Sequence, residues 1–295
     1  MTTAVRIAAH AKVNLFLRIL ARETSGFHQI ETAFALLELA DELVVRRTDA
    51  GVALEVDGPD LGPVEQNLAV RAARAVLDAT GNRFGVAIAL SKRIPVRAGL
   101  GGGSSDAAAA LRGYLRLTRR DIPEHRLMEI AAALGADVPF FLFGGRALGI
   151  GRGDEIYPLP DISKQALLIV SPRDIHVPTP DAYRWLKAAA LTKSAATPKL
   201  FKFCSLCWSA QESGLSNDFE PPVFRRHPRL AAIKRELLRR GATEASLAGS
   251  GSAVFGVFPS PALARRAAVG FQDDQTFVCE TISRDRYLRK VNRAS

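Results

Sequence analysis

Lys12, Asn14 and Arg18 alternate with Val13, Leu15, Leu17 and Ile19 near the start of the chain. That period of two predicts a strand, within residues 4 to 20. Further strands are expected at 28 to 37, 41 to 48, 51 to 57 and 85 to 91. Leu68, Ala72, Ala75, Val76 and Ala79 fall on one face at helical spacing, with Gly81 as the stop. A second helix, "IPEHRLMEIAAALG", ends near Gly135. After it come "FFLFGG", "RALGIGRGDEIYPL" and a turn at Pro160. From about residue 161 a new pattern begins. "QALLIVSP", "SAVFGVF" and "QTFVCETI" read as strands, and "TPDAYRWLKAAAL", "HPRLAAIKRELLRRG" and "SPALARRAA" as helices. Residues 192 to 222 have little periodicity and are rich in Ser, Thr and Pro, so loop or short helices are expected there. No internal repeat is present. The chain reads as α+β, in two domains of residues 1–160 and 161–295.

Composition narrows the class. The chain has 295 residues, 47% of them hydrophobic, enough to bury a substantial core. No apolar run approaches the ~18 residues of a membrane span. The first residues lack the basic start and clean apolar core of a secretion signal, so a cytoplasmic protein is expected. A formal net charge of +10 favours anionic partners, either nucleic acid or phosphorylated small molecules. The basic residues are scattered over amphipathic patterns. A compact basic stripe with interleaved aromatics, which nucleic-acid binding would want, is absent. Cys204 and Cys207 form a lone CxxC without a second ligand pair for zinc, and Cys279 lies in an apolar, core-like strand.

The most informative stretch is "RIPVRAGLGGGSSDAAAALRGYL", residues 93 to 115. Gly99 and Gly101 to Gly103 stand directly before an alanine-rich helix that should begin near Ser104 or Ser105, either of which can cap it. Glycines let the backbone approach a ligand, and the first helical N–H groups favour negative charge. Together they form a phosphate cradle. It is not the Walker type, since no Gly-Lys-Ser/Thr follows, and it is not a dinucleotide fingerprint. Asp137, in "LGADVPFF", reads either as a helix cap before Val138 and Pro139 or as a carboxylate for proton transfer. Lys12 reads as part of an exposed strand face, or as a cation beside a reacting group. Asn67 reads as a helix cap, His28 as a turn histidine, and Tyr183 as the buried face of a short helix.

"PVRAGLGGGSSDAAAAL" resembles the central motif of the GHMP kinases, "AHAKVNLFLRI" the family's N-terminal motif and "SLAGSGSAVFGVF" its C-terminal glycine motif. The three stand in the family's order. The segments "AKVNLFLRILARETSGFHQIET", "NLAVRAA", "LGADVPFFLFGGRALGIGRGDEI", "VPTPDAY" and "NDFE" resemble one branch in particular. That branch phosphorylates the 2-hydroxyl of 4-diphosphocytidyl-2-C-methyl-D-erythritol, an isoprenoid precursor. The resemblance covers roughly residues 6 to 282.

The resemblance implies a two-domain fold. Its N-terminal domain would be like the ribosomal protein S5 domain 2-like fold and its C-terminal domain like an α/β sandwich. It implies ATP and Mg2+, the metal held mostly by phosphates and few side chains; a monomer or weak homodimer is expected. It puts Lys12 and Asp137 together as catalytic residues. Pro95, Ala98, Gly99, Leu100, Gly101, Gly102, Gly103, Ser104, Ser105 and Asn67 would bind ATP. Asn14, Phe27, His28, Thr179, Tyr183, Gly249 and Ser250 would bind the second substrate, with Phe27 and Tyr183 as aromatic walls for the cytosine and His28 reading its edge. Similar kinases usually carry tyrosine at the Phe27 position; a phenylalanine keeps the stacking and drops the hydroxyl. The other readings left by the sequence are a GHMP kinase for homoserine or mevalonate-type substrates, and a nucleic-acid-binding module.

Overall fold

The computed structural model describes residues 4–22, 26–81, 84–119, 121–186 and 214–292. Residues 204 and 207, and most of 192 to 222, lie outside the described residues. Two long antiparallel strands, β1 (Ala4–Arg22) and β2 (His28–Thr48), form the spine of the first sheet. β3 (Val52–Asp57) and β4 (Gly85–Ser91) extend it, and the hairpin of β5 (Arg146–Ile150) and β6 (Glu155–Pro158) pairs with β2. A second sheet orders β11 (Gln275–Glu280), β7 (Ala166–Ser171), β10 (Val254–Phe258) and β9 (Glu244–Leu247). The short β8 (Ser216–Asn217) crosses back to pair in parallel with β1 at Phe16 and Leu17.

β2 is one strand, where the sequence predicted two. Glu38 and Asp41 interrupt its apolar run, yet β1 pairs with Ala40 and Asp41 and β4 takes up the ladder from Glu42 onward. The helices α1 (Leu68–Thr80) and α2 (Gly102–Thr118) cover one face of this sheet. Ala107 to Ala110 are all buried there, and Gly113 brings α2 close to Val45. Small side chains let the helix axis approach the strands.

α2 begins at Gly102, earlier than the predicted Ser104 or Ser105. Its N-cap is Gly101 in the left-handed region, and no side chain caps it. α3 (Glu124–Leu134) and α4 (Val138–Phe143) follow, and α5 (Thr179–Arg184) opens the second half. α6 (Glu220–Arg226), α7 (Pro228–Arg239) and α8 (Pro261–Ala268) pack around the second sheet. The basic C-terminal segment forms α9 (Arg284–Asn292), which periodicity did not suggest. α9 returns to the first core: Tyr287 and Val291 are buried there, and the Tyr287 hydroxyl donates to the Phe141 carbonyl.

A third core joins the two sheets. Val13 and Ala35 from the first meet Ile169 and Phe255 from the second, with Ala98 and Leu100 between them. The glycine loop is therefore clamped between the halves of the protein. Among the described residues no helix is long and apolar enough to cross a membrane.

Candidate active site

A cavity of about 1310 Å³ lies where these elements converge. On its wall are Lys12 and Asp137, with Lys12 Nζ 3.3 Å from Asp137 Oδ2. Lys12 is only 4% exposed, so the exposed-face reading of its strand does not hold. Backbone irregularities in β1 between His10 and Lys12, and between Asn14 and Phe16, shift the register and turn this segment inward. Lys12 Nζ donates to Asn14 Oδ1 at 2.8 Å, Asn14 Nδ2 to Thr32 Oγ1 at 2.7 Å, and Thr32 Oγ1 to the Phe16 carbonyl at 2.7 Å. This chain of bonds holds the buried ammonium in one place. Asp137 does occupy the N-cap position of α4, but its side chain caps nothing. Its carboxylate, 34% exposed, is turned to Lys12 and the cavity instead.

The glycine loop forms the adjoining wall. Lys12 N donates to the Leu100 carbonyl at 3.0 Å, and Ala253 N to the Ala98 carbonyl at 3.1 Å, so the loop is bonded from both sides. At Gly99 (φ +79) a Cβ would fall 1.9 Å from the Ala248 carbonyl oxygen, and at Gly101 (φ +72) it would fall 2.8 Å from Phe141. Both sites demand glycine, for conformation and for space. The first intrahelical bond of α2 runs from Ser105 N to the Gly101 carbonyl at 2.9 Å. The N–H groups of Gly102, Gly103 and Ser104 thus have no acceptor within the helix and stand at its positive end, suited to an anion. A Cβ on Gly103 would meet only Leu68 Cδ1, at 3.8 Å. Gly103→Ala should therefore fold as well as the parent, since alanine is the better helix former. It should still weaken ATP roughly tenfold by crowding the cradle, or about 1.4 kcal/mol. Calorimetric titration with ATP beside a melting curve checks this; unchanged affinity would remove phosphate from the loop.

Beneath the loop lies a buried charge cluster that sequence reading missed. Lys92 Nζ bonds Asp41 Oδ2 and, at 2.8 Å, Asp106 Oδ2. Asp41 Oδ1 accepts from the Arg93 and Ile94 amides at 2.5 and 2.8 Å. The cluster ties β2, the start of the loop and the first turn of α2 together. Burial opposes the charge on Lys92, but the Asp106 and Asp41 carboxylates outweigh it and raise its pKa. Asp106 is pushed up to about 7, chiefly by burial and with Asp41 adding repulsion, against the pull of Lys92. Its Oδ1 is buried without a hydrogen-bond partner.

Aromatic groups line the far end of the cavity. His28 stacks on Tyr183 with ring centroids 4.6 Å apart, and Tyr183 meets Phe219 edge-on at 4.9 Å. Burial, and behind it the charge of Asp137, pushes the Tyr183 hydroxyl up to about 12. Burial and the charge of Arg22 lower the pKa of His28, favouring the neutral ring. Phe27 is 54% exposed and lies beneath the guanidinium of Arg152. The ring facing Tyr183 is thus His28, while Phe27 faces an arginine.

Asn14, Pro95, Ala98, Leu100, Gly102, Ser104, Thr179, Gly249 and Ser250 also line the cavity. Asn67 lines it while its side chain accepts from Ala69 N as a helix cap, so both readings of it coexist. Ser105 is buried and is not among the lining residues. The Gly249–Ser250 turn braces the loop: a Cβ on Gly249 would stand 3.0 Å from the Gly99 carbonyl oxygen, and Ser250 Oγ bonds Thr179 Oγ1 at 2.9 Å. Asn217, in the "NDFE" segment, supports this turn by donating to the Leu247 and Gly249 carbonyls at 2.9 and 2.8 Å. Lys92, Arg22 and Arg152 carried no local signal, because single basic residues are common along this chain. Asp106 stood in the quoted motif but was assigned no role.

Glycine loop, buried lysine and carboxylate define a small-molecule kinase of the GHMP class. The sequence model of the GHMP kinases N terminal domain matches residues 67–145, and that of the GHMP kinases C terminal domain matches residues 205–274. A 4-diphosphocytidyl-2-C-methyl-D-erythritol kinase of Solibacter usitatus is 44% identical, over 99% of this chain and 93% of that protein. A kinase of the same description from Pelotomaculum thermopropionicum is 38% identical, over 93% and 97%. The crystal structure of a 4-(cytidine 5'-diphospho)-2C-methyl-D-erythritol kinase superposes with a TM-score of 0.79 at 36% identity, covering 94% of this chain and 99% of that one. The chain belongs to the 4-diphosphocytidyl-2-C-methyl-D-erythritol kinase family of the GHMP kinases. A homoserine kinase from Cytophaga hutchinsonii, at 21% identity and a TM-score of 0.73, shares the fold.

Proposed function

We propose that this protein transfers the terminal phosphoryl group of ATP to the 2-hydroxyl of 4-diphosphocytidyl-2-C-methyl-D-erythritol. The observation that carries the reading is the Lys12–Asp137 pair, set between a glycine loop and an aromatic pocket in one cavity. The glycine loop receives the ATP phosphates, and the turn of Phe27 and His28 with Tyr183 receives the cytosine. Asp137 accepts or orients the proton of the attacking hydroxyl. The buried Lys12 ammonium faces that carboxylate and stabilises charge on the phosphoryl group in flight. Neutral His28 suits hydrogen bonding to a base edge.

Magnesium, when bound with ATP, neutralises phosphate charge. Among the described residues there is no group of three or more His, Cys, Asp or Glu that could hold a metal by itself. The Ser104 hydroxyl and the Asp137 carboxylate, both on the cavity wall, are side chains that would be available to an ion carried mainly by phosphate oxygens.

Incubation with ATP, magnesium and the cytidyl substrate should yield ADP and the 2-phosphorylated product, with homoserine and mevalonate inert. Turnover of either of those, with none of the cytidyl compound, would overturn the assignment. Phe27→Ala should weaken binding of the cytidyl substrate by about 1–3 kcal/mol, the usual worth of a base on an aromatic ring. ATP affinity should hardly move. Because Phe27 is largely exposed, the fold should survive. Calorimetry with each ligand separates the two effects, and equal losses would move Phe27 out of the base pocket.

A further inference from the structure

α9 lies beyond residue 282, where the family resemblance ends, and the proposed chemistry leaves it without a part. It packs against the end of α4, the helix that begins just after Asp137. α4 spans six residues, too few to hold itself in place by internal bonds. Gly144 N meets the Phe140 carbonyl at 2.8 Å, and the carbonyls after it need partners from elsewhere. The Tyr287 hydroxyl donates to that of Phe141, and Arg112 Nη2 to that of Leu142. The glycines of "FFLFGG" make room for α9. A Cβ on Gly144 would fall 2.1 Å from Tyr287 Cδ1, and one on Gly145 would fall 2.7 Å from Arg284 N. Leu36 N donates to the Gly145 carbonyl at 3.0 Å, so this turn is fixed to β2. Tyr287 is almost wholly buried, with the His10 ring edge-on at 5.8 Å and the Arg112 guanidinium 5.7 Å from its centroid. Burial raises the pKa of its hydroxyl, which keeps it a donor. The α4 helix is thus bonded at its end, while Asp137 at its start makes no capping bond.

We propose that Tyr287 is a positioning residue for phosphoryl transfer, whose hydroxyl fixes the end of α4 and thereby the place of Asp137 before Lys12. The inference rests on the function proposed above. Phe141 follows Asp137 by about one helical turn, so a shift at its carbonyl is carried to the carboxylate. That carboxylate stands 3.3 Å from Lys12 Nζ, and a displacement of about 1 Å in such a site can cost about 100-fold in rate. Tyr287 is not among the residues lining the cavity, so it acts through α4 and not on a ligand. Tyr287→Phe keeps the ring and removes only the bond. The buried Phe141 carbonyl is then left without its donor, which releases the end of the helix.

The test is single-turnover transfer to the cytidyl substrate at saturating ligands, well below the melting transition, with melting curves alongside. Tyr287→Phe should transfer phosphate about tenfold more slowly, with the affinities for ATP and the cytidyl substrate within about threefold of the parent's. Ile233→Val, in the core of the second sheet, lowers the melting temperature without touching α4 and should keep the parental rate. In the Asp137→Asn background, Tyr287→Phe should change the residual rate by less than about twofold, because the group it positions is already gone. Arg112→Lys shortens the reach to the Leu142 carbonyl and should slow transfer about threefold, so the test stands even where Tyr287→Phe does not fold. A Tyr287→Phe enzyme that melts earlier yet transfers at the parental rate would make Tyr287 a packing residue only and overturn the proposal. An undiminished tenfold loss in the Asp137→Asn background would overturn it as well. A parent enzyme that does not turn over the cytidyl substrate would end the functional reading and this inference with it. A parent that does, beside unimpaired Tyr287→Phe and Arg112→Lys, would end only the inference.

Discussion

Asp137→Asn should slow phosphoryl transfer by about 100-fold or more, the usual range for a general acid–base group, while the protein folds and binds both substrates. The structure sharpens this expectation. Had Asp137 served as a helix cap, asparagine would replace it at little cost. Its side chain makes no capping bond, so that role is not there to be preserved. What the amide cannot supply is a negative charge 3.3 Å from the Lys12 ammonium and a site for the hydroxyl proton. Lys12→Met should produce a comparable defect. If the two act as a unit, the double variant should lose less than the product of the single losses. Single-turnover transfer at saturating ligands, with melting followed alongside, decides the matter. A folded Asp137→Asn enzyme that transfers phosphate at nearly the parental rate would end the catalytic reading.

Lys92→Met should destabilise the fold by about 3–5 kcal/mol, the cost of leaving buried charge without its partner. Here two carboxylates lose the same ammonium, and all three side chains are almost wholly buried. Asp106→Asn in that background should recover part of the loss by removing one of the two acids. The pH dependence has a definite sign. The Asp106 carboxyl is raised in the folded protein, with burial the main cause, so folding favours its protonated form. That contribution is full below the ordinary carboxylate range and is lost as pH rises through about 7. Parent stability should therefore decline relative to Asp106→Asn between those limits. Urea midpoints at pH 5 and pH 8 read both effects. A Lys92→Met midpoint equal to the parent's would show the cluster to be energetically idle.

Much of this architecture was legible along the chain because its causes are local. Alternation at period two marked β1, and helical spacing with a glycine stop marked α1. The glycines before the alanine run marked the anion-binding turn, since a Cβ at such positions changes what the backbone can do. Motif resemblance then joined Lys12 and Asp137, residues 125 positions apart whose pairing no local pattern could supply. Other features depend on neighbours distant in sequence. Lys12 is buried because irregular pairing with β2 turns its strand inward, and alternation alone cannot register that shift. The predicted break in β2 did not occur, because β1 pairs with Ala40 and Asp41 and β4 takes up the ladder from Glu42. One of those residues, Asp41, then serves as the buried acceptor for Lys92 and the loop amides. α2 starts at Gly102 because Gly101 takes the left-handed turn under Phe141, a contact from α4 that outweighs the serine caps. The amino-acid sequence by itself determined the kinase class, the loop and the strand and helix types, through spacing and side-chain chemistry. Only the tertiary structure decided that Lys92 and Asp106 share a buried cluster and that Arg152 lies on Phe27. Those contacts depend on how distant backbone segments are packed and bonded, and such distances are not written in the order of residues.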